Sequence, residues 1–321
     1  MGEESTYGHS AVLLAETIDA LNIKSDGKYI DATFGRGGHS QAILKRLGKN
    51  GRLVALDKDP EAVAHASSIV ASDNRFSIEH CAFQDIRQVV EGCDWIAQVD
   101  GLLMDLGVSS PQLDNPERGF SFQMDGALDM RMDPSTGISA ADWVATASES
   151  ELAGVFKEYG EEKFSKRIAK AIVKDRSQMP ITRTRRLAEI IAAANPAWEK
   201  HKNPATRCFQ AIRIYINQEL HELKNCLDNV VDVLANHGRL VVISFHSGED
   251  RMVKRFINKQ VRGDKYPASL PVTQDMLNPS FRRIGKPIRA SDQEIANNVR
   301  ARSAILRVAE RLPRRQLGRE L

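Results

Sequence analysis

The fold of this chain is decided by the stretch Asp31-Ala32-Thr33-Phe34-Gly35-Arg36-Gly37-Gly38-His39-Ser40. An apolar run precedes it at Tyr29-Ile30, and residues 41–47 follow with apolar side chains at helical spacing. A strand, a glycine-rich turn and a helix in this order are typical of the first unit of a doubly wound nucleotide-binding sheet. Glycine at the turn permits positive φ and lets a ligand approach the backbone.

An acidic residue at the end of the second predicted strand extends this interpretation. Residues 52–56 form the strand, and Asp57 follows it, 20 to 22 positions after Gly37 and Gly35. A carboxylate there can accept hydrogen bonds from both hydroxyls of an adenosine ribose. Ser40 stands where a dinucleotide-binding loop has its third glycine. The loop therefore favours an adenosine ligand without a diphosphate, such as S-adenosylmethionine, with an ordinary structural turn as the alternative.

The composition is that of a globular protein with unevenly placed positive charge. The chain has 321 residues, a mean hydropathy of −0.36 and four cysteines without a C-x-x-C pair, which indicates a reduced, cytoplasmic protein. No apolar run approaches the ~20 residues of a membrane span. Residues 163–186 contain nine Lys or Arg and one acid, and residues 249–321 contain seventeen and eight. These segments predict a polyanionic partner such as nucleic acid, with a solvated helix face as the alternative.

Strand and helix patterns alternate between residues 28 and 106, which predicts a parallel sheet. The alternation stops in residues 107–135, and the pattern is helical from residue 139 to about residue 200. We therefore expect an α/β fold in three segments. These are a doubly wound, mostly parallel sheet in residues 1–112 and 213–321 and an all-helical insertion in residues 113–212.

Finer predictions concern the second half of the chain. Asn203-Pro204 begins a single long helix whose apolar stripe extends to Leu234, and Gly238 caps its C-terminus. The sheet resumes in residues 239–246. Residues 263–290 are loop-like, and residues 303–309 form the last strand.

Ligands of such sheets bind beyond the carboxyl ends of the strands. Phe83 ends the third predicted strand, where it can lie against an adenine or pack in the core. Asp105 ends the fourth, where it can accept a hydrogen bond from an ammonium group or a substrate amine, or cap a loop. His246 ends the fifth, with a structural role as its alternative. The candidate positions are Gly35, Gly37, Gly38, His39, Asp57, Phe83, Asp105, Gln112 and His246.

The chemistry at this edge of the sheet favours an amine acceptor. Methylation of carbon 5 of a pyrimidine generally needs a thiolate, and the segment from Asp105 to Gln112 has no cysteine. An exocyclic amine needs mainly alignment with the methyl donor and a hydrogen-bond acceptor, for which Asp105 is the candidate catalytic residue. No His or Cys cluster has zinc spacing and no calcium loop or Walker motif is present, so we expect no metal.

The chain resembles the bacterial 16S ribosomal RNA cytosine-N4 methyltransferases from about residue 7 to residue 310. The motifs that carry the resemblance are Asp31–Ser40, Asp105–Gln112, Arg118–Phe122, Leu128–Asp133, Tyr159–Glu162, Asn203–Arg207 with Phe209–Ala211, and Ser244–Ser247. Several long motifs in one order make the match specific. The resemblance implies a class I S-adenosylmethionine-dependent fold with a helical substrate-recognition insertion. It also implies methyl transfer to N4 of a cytidine in the decoding region (P site) of 16S ribosomal RNA in the small subunit.

The resemblance also assigns residues. It places cofactor contacts at Gly37, Gly38, His39, Asp57, Phe83, Asp105 and Gln112. One departure follows Ser247, the expected cap of the next helix: Gly248 stands where the family has a bulky aliphatic residue, which loosens the helix start and leaves His246 without an assigned role.

The RNA-facing surface of the insertion is expected from its basic and polar residues. We predict RNA contacts at Lys170 and at Arg207, Gln210 and Arg213 of the long helix, whose polar face also includes Asn217. Two other functional classes remain open. A nicotinamide-dependent oxidoreductase could use the same fold, and a ribosome assembly factor could bind RNA without chemistry.

Overall fold

The computed structural model describes residues 11–197, 203–264, 266 and 274–313. The chain divides into two compact units. The core unit comprises the chain up to Gly107 and from His221 onward, and the helical unit comprises Val108–Leu220. No helix of the described ranges is long and apolar enough to cross a lipid bilayer.

The core unit contains one sheet with eight strands among the described residues. The strands are β1 Lys28–Asp31, β2 Arg52–Asp57, β3 Phe76–His80, β4 Val99–Asp105, β5 Leu234–Ser244, β6 Phe281–Arg283, β7 Ile288–Arg289 and β8 Ile305–Arg311. Their order is β3-β2-β1-β4-β5-β8-β6, and β7 also pairs with β8. Strands β1 to β5 are parallel, whereas β8 runs antiparallel to β5. The predicted mostly parallel α/β sheet is confirmed.

Helices alternate with the strands in residues 28–105, as the sequence predicted, whereas the helices of residues 110–233 follow one another without a strand of the sheet between them. The helices are α1 Leu14–Leu21, α2 Gly38–Arg46, α3 Pro60–Ser72, α4 Ile86–Gly92, α5 Ser110–Asp114, α6 Ala140–Thr146, α7 Glu149–Glu158, α8 Ser165–Arg176, α9 Thr184–Ala194, α10 Ala205–Ile216, α11 Glu219–Val233, α12 Ser247–Arg262 and α13 Asp292–Asn297. Local chemistry explains several starts. Asp59 accepts the Glu61 N–H (2.9 Å) at the beginning of α3, and Pro60 occupies its first position.

The central strands are apolar along their length. Leu53 and Leu56 of β2 and Leu102 and Leu103 of β4 are completely buried. Such continuous apolar runs are expected of parallel strands that helices cover on both faces. This rigid sheet positions the loops at the carboxyl ends of β1, β2 and β4.

The single long helix predicted from Asn203-Pro204 is wrong. Helix α10 ends at Ile216 and α11 begins at Glu219, and between them Gln218 has a φ of 53°. The buried Asn217 side chain donates to the Met130 carbonyl (2.7 Å) and accepts the Met132 N–H (2.7 Å). The apolar spacing continues through the break, so periodicity alone could not reveal it.

Two other predictions for the second half of the chain also need correction. Gly238 is not a helix cap, because β5 begins at Leu234 and Gly238 lies inside it. A Cβ at Gly238 would lie 2.7 Å from the Val99 carbonyl oxygen, so the glycine permits close approach of β4 and β5. The loop-like residues 263–290 contain the short strands β6 and β7, which pairing with β8 stabilises.

The helical unit has its own apolar core, centred on residues such as Trp143, Phe156 and Ile212. Val108 and Leu113, near the start of the unit in sequence, pack against this core, and so do Tyr215 and Ile216, near its end in sequence. The unit therefore extends beyond the expected insertion of residues 113–212 at both ends.

Candidate active site

The glycine-rich loop and the acid at the end of β2 lie together in the core unit. The Gly35 N–H donates to one carboxylate oxygen of Asp57 (2.8 Å), and the Asp59 N–H donates to the other (2.9 Å). Burial raises the pKa of Asp57, and these two N–H groups oppose the rise. The Asp57 carboxylate is thus held rigidly at the loop where the sequence predicted a ribose acceptor.

Gly37 and Gly38 are required by the local backbone and packing. Gly37 has a φ of 74°, and a Cβ there would lie 2.7 Å from two ring atoms of Phe34. A Cβ at Gly38, the first residue of α2, would lie 2.9 Å from the Ala11 Cβ. The loop therefore has a shape that larger side chains would change, and its backbone lies beside Asp57.

A residue that the sequence reasoning did not select, Asp31, ties the loop to β4. Its carboxylate accepts the Thr33 N–H (3.2 Å) and the Ser40 hydroxyl (2.7 Å), so it holds both ends of the loop. The Thr33 hydroxyl oxygen in turn accepts the Asp105 N–H (2.6 Å). Asp31 is completely buried at the end of β1, and burial raises its pKa to about 7. Asp31 ends a strand, as Asp57 and Asp105 do, and this position in the sequence could have identified it as a site residue.

Asp105 has an unsatisfied carboxylate. Its Oδ1 is buried and has no hydrogen-bond partner among the described residues. Burial raises the pKa of Asp105 well above its usual value, and the neighbouring acids Asp31 and Glu249 raise it further when they are ionised. A buried acceptor without a partner is costly, so this oxygen suits a ligand that brings an N–H or a positive charge.

His39 places a second hydrogen-bond acceptor beside Asp105. Burial lowers the pKa of His39 to about 4, so the imidazole is neutral at neutral pH. Its Nε2 lies 3.1 Å from the Val12 carbonyl oxygen and donates to it, which leaves Nδ1 as an acceptor. Nδ1 lies 3.6 Å from Oδ2 of Asp105. Because two acceptors face each other here, a proton or a cationic donor nearby would be stabilised.

Phe83 and Gln112, the other two predicted cofactor contacts, lie outside the glycine-rich loop. Phe83 does not end the third strand, because β3 ends at His80 and Phe83 begins a single 3-10 turn that extends to Asp85. The side chain is half-buried there. Gln112 belongs to the helical unit, where its Oε1 accepts the Ser109 N–H (2.9 Å) in the capping box of α5.

His246 has a structural function that the sequence reasoning did not assign. It is the N-cap of α12, and its Nδ1 accepts the Gly248 N–H (3.2 Å) and the Glu249 N–H (3.4 Å). The Glu249 carboxylate reciprocates by accepting the His246 N–H (3.2 Å), and it also accepts the Phe245 N–H (2.8 Å). The expected cap at Ser247 and the loosened helix start at Gly248 are therefore both wrong, because a histidine-based capping box satisfies these N–H groups.

The predicted RNA contacts lie in the helical unit and fall into two groups. Lys170 is exposed on α8, and Arg207 and Gln210 are partly exposed on α10. Arg213 instead forms a bidentate ion pair with Glu219 (2.8 Å for both contacts), and both side chains are largely buried. Arg213 and the buried Asn217 thus have structural roles rather than an exposed polar face.

The structure supplies no activated thiol in the core unit or the helical unit. Burial raises the pKa of Cys81 and of Cys226 to about 12. Burial also raises the pKa of Cys93 and Cys208. All four thiols are therefore protonated at neutral pH and are poor nucleophiles.

Comparisons with known proteins agree with this arrangement. Residues 6–312 match the model of the MraW methylase family. The chain is 57% identical over 313 residues to the ribosomal RNA small subunit methyltransferase H of Thioalkalivibrio sulfidiphilus (strain HL-EbGR7), covering 97% of this chain and 100% of the relative.

Solved structures are more distant. An rRNA methylase from Streptococcus thermophilus is 11% identical with a TM-score of 0.42, covering 93% of this chain and 95% of that chain. A fibrillarin from Aeropyrum pernix, crystallised with natively bound S-adenosyl-L-methionine, is 8% identical with a TM-score of 0.38, covering 89% and 66%. On the family match and the full-length relative, this chain belongs to the MraW methylase family of S-adenosylmethionine-dependent methyltransferases.

Proposed function

We propose that this protein transfers a methyl group from S-adenosylmethionine to N4 of a specific cytidine in the decoding region, at the P site, of 16S ribosomal RNA. The name of the full-length relative supports a small-subunit ribosomal RNA substrate. One observation carries the amine acceptor: the buried Oδ1 of Asp105 has no partner in the described part of the chain. The absence of a cysteine from the segment Asp105–Gln112 agrees with it.

The residues of the core unit would hold the cofactor as follows. Asp57, fixed by the Gly35 and Asp59 N–H groups, accepts the ribose hydroxyls, and Phe83 offers a flat apolar surface for the adenine. Asp105 accepts an N–H from a cationic ammonium group or from the substrate amine. Bound S-adenosylmethionine supplies a methyl group that its sulfonium makes strongly electrophilic.

Asp105 would also assist the chemistry at nitrogen. An exocyclic amine of cytosine is a weak nucleophile, and an acceptor beside its N–H increases electron density at nitrogen. Methyl transfer moves positive charge onto that nitrogen, where the Asp105 carboxylate stabilises it and can take the released proton. The raised pKa of Asp105 suits a group that accepts a proton.

The alternative of methylation at carbon 5 is disfavoured. That reaction generally needs a thiolate, and burial raises the pKa of every cysteine in the chain, with Cys81 and Cys226 at about 12. Replacing the two partly exposed cysteines, Cys81 and Cys93, with serine should therefore leave methyl transfer intact. Loss of activity in either variant without loss of folding would contradict the amine acceptor.

A basic stripe on α8 supports RNA as the partner. The exposed side chains of this stripe are Lys166, Arg167, Lys170 and Lys174, and Lys163 is exposed just before the helix begins. The four-residue spacing of Lys166, Lys170 and Lys174 aligns them on one helix face, and none of the five cations pairs with an acid in the described ranges. Such a face suits the phosphates of a nucleic acid in the cytoplasm, where ribosomal subunits are the expected substrate. The target base must leave its stack to meet the methyl donor.

The proposal is tested by methylating 16S ribosomal RNA and, separately, small ribosomal subunits with isotopically labelled S-adenosylmethionine. Mass spectrometry of the nucleosides should find N4-methylated cytidine at one position. Asp57→Ala should abolish the product, whereas the exposed control Asp19→Ala should not. A product on carbon 5, or no product with either substrate, would refute the proposal.

Two further measurements separate the competing classes. Tight binding of NAD without binding of S-adenosylmethionine would favour an oxidoreductase. An assembly factor without chemistry would keep its cellular effect in the Asp57→Ala variant.

For the RNA surface, Lys170→Ala should weaken RNA binding and lower its salt dependence by about one phosphate contact.

A further inference from the structure

We propose that a cleft at the edge of the core unit, between α12 and the turn that joins β6 to β7, binds a backbone phosphate of the substrate RNA. The inference rests on the proposed function but concerns a surface separate from the catalytic loop. Four cationic side chains line the cleft. Lys254 of α12, Arg283 of β6 and Lys286 of the turn face an incoming anion without an acid beside them, whereas Arg307 of β8 is paired with Asp250. Ile257 and Ile284 supply apolar walls.

The backbone that carries these cations is fixed by the sheet. Strands β6 and β7 both pair with β8, and the Ile284 N–H donates to the Val308 carbonyl (3.1 Å) at the turn between them. Gly285 has a φ of 67°, which a tight turn at this point requires. Lys286 therefore projects from a short, defined turn.

Arg283 is oriented by a side chain of the opposite wall. Its Nη2 donates to Oδ1 of Asn258, which lies one helical turn after Lys254 on α12. The hydrogen bond uses one of the five N–H donors of the guanidinium, and the others can reach an anion. A held guanidinium beside two lysines is a suitable arrangement for a phosphate.

The two lysines of the cleft carry charge that no described acid offsets. The segments around the cleft are basic: residues 251–262 contain five Lys or Arg and no acid, and residues 281–289 contain four and no acid, of which Arg282 pairs with Glu310 (2.7 Å). The nearest acid on α12, Asp250, is engaged by Arg307 in a bidentate pair (2.7 and 3.0 Å). Lys254 and Lys286 have no carboxylate partner among the described residues.

Uncompensated like charges repel one another, and a polyanion offsets that repulsion. RNA is the polyanion that the proposed function supplies. A phosphate contact at the edge of the sheet positions the RNA without touching the reacting atoms. The cleft should therefore contribute to RNA affinity and not to cofactor affinity or to the rate at saturating RNA.

The test compares Lys254→Ala/Lys286→Ala with the control Lys45→Ala/Lys49→Ala, which removes two exposed lysines of the same unit at the end of α2 and in the loop before β2. Affinity for 16S ribosomal RNA is measured between 50 and 200 mM salt. Loss of two phosphate contacts should make the decrease in affinity over this range about tenfold smaller than in wild type. The control, the affinity for S-adenosylmethionine and the rate at saturating RNA should be unchanged.

Restoring the charge gives a second criterion. Lys254→Arg/Lys286→Arg should recover the wild-type salt dependence, because a phosphate contact needs a cation rather than the lysine side chain itself. A double alanine variant with the salt dependence of the control would overturn the inference. So would a parallel loss of cofactor affinity, which would indicate altered folding. If the wild-type protein methylates 16S ribosomal RNA, either of these results overturns the phosphate site but not the proposed function. If the wild-type protein neither binds nor methylates the RNA, both proposals are overturned.

Discussion

Replacing Asp31 with asparagine should remove a pH dependence from the stability of the core unit. Asp31 is completely buried at the end of β1, and burial raises its pKa from 3.8 to about 7. Asparagine can still accept the Thr33 N–H, and its amide can pair with the Ser40 hydroxyl. The variant therefore keeps the hydrogen bonds of the loop and loses only the ionisation.

The sign and size of this pH dependence of stability follow from proton linkage. Between pH 4 and 7 the folded protein keeps the Asp31 proton while the unfolded chain releases it, so the free energy of unfolding falls as the pH rises. Below pH 4 both states are protonated, and above pH 7 both are ionised. A pKa difference from 3.8 to about 7 corresponds to a loss of about 4 kcal/mol across this window. The free energy of unfolding of Asp31→Asn should not fall in this way, because asparagine does not ionise.

Hydrogen exchange of the β1 and β4 amides, corrected for the intrinsic effect of pH on exchange, measures this stability separately from that of the helical unit. The stability of Asp31→Asn relative to wild type should grow steadily from pH 4 to 7 and then level off. The exposed control Asp19→Asn should follow wild type. Parallel pH profiles for wild type and Asp31→Asn would refute the idea that Asp31 is held in its protonated form.

Three further predictions concern the loop, the cap and the ion pair. Gly37→Ala should cost about 1–2 kcal/mol of stability from its positive φ alone, and it should weaken S-adenosylmethionine binding in calorimetry because its Cβ meets Phe34. His246→Ala should cost about 0.5–2 kcal/mol in urea unfolding, and His246→Asp should recover most of it; equal losses would exclude the cap. Arg213→Ala should destabilise the helical unit by about 3–5 kcal/mol by leaving Glu219 buried without its partner, whereas Arg213→Met/Glu219→Met should be nearly neutral. Weaker RNA binding with unchanged stability would instead make Arg213 an RNA contact.

Much of the fold could be predicted because its signals are local. The strand, glycine turn and helix at residues 28–46 follow from apolar spacing and turn chemistry, and the cap of α3 follows from Asp59 and Pro60. Errors occurred where periodicity continued across a structural change. The apolar stripe of α10 and α11 gives no sign of the break at Asn217, and β6 and β7 are too short to produce a strand pattern.

The sequence by itself determined the order of most elements, the glycine loop, the acids at the strand ends and the absence of a cysteine from the segment Asp105–Gln112, because each depends on neighbouring residues. Only the tertiary structure decided what these residues contact. It joined Asp31 through Thr33 to Asp105, left one Asp105 oxygen without a partner, and paired Arg213 with Glu219. The physical reason is that the pKa of a carboxyl group and the availability of a cation depend on burial and on partners that chain folding brings together.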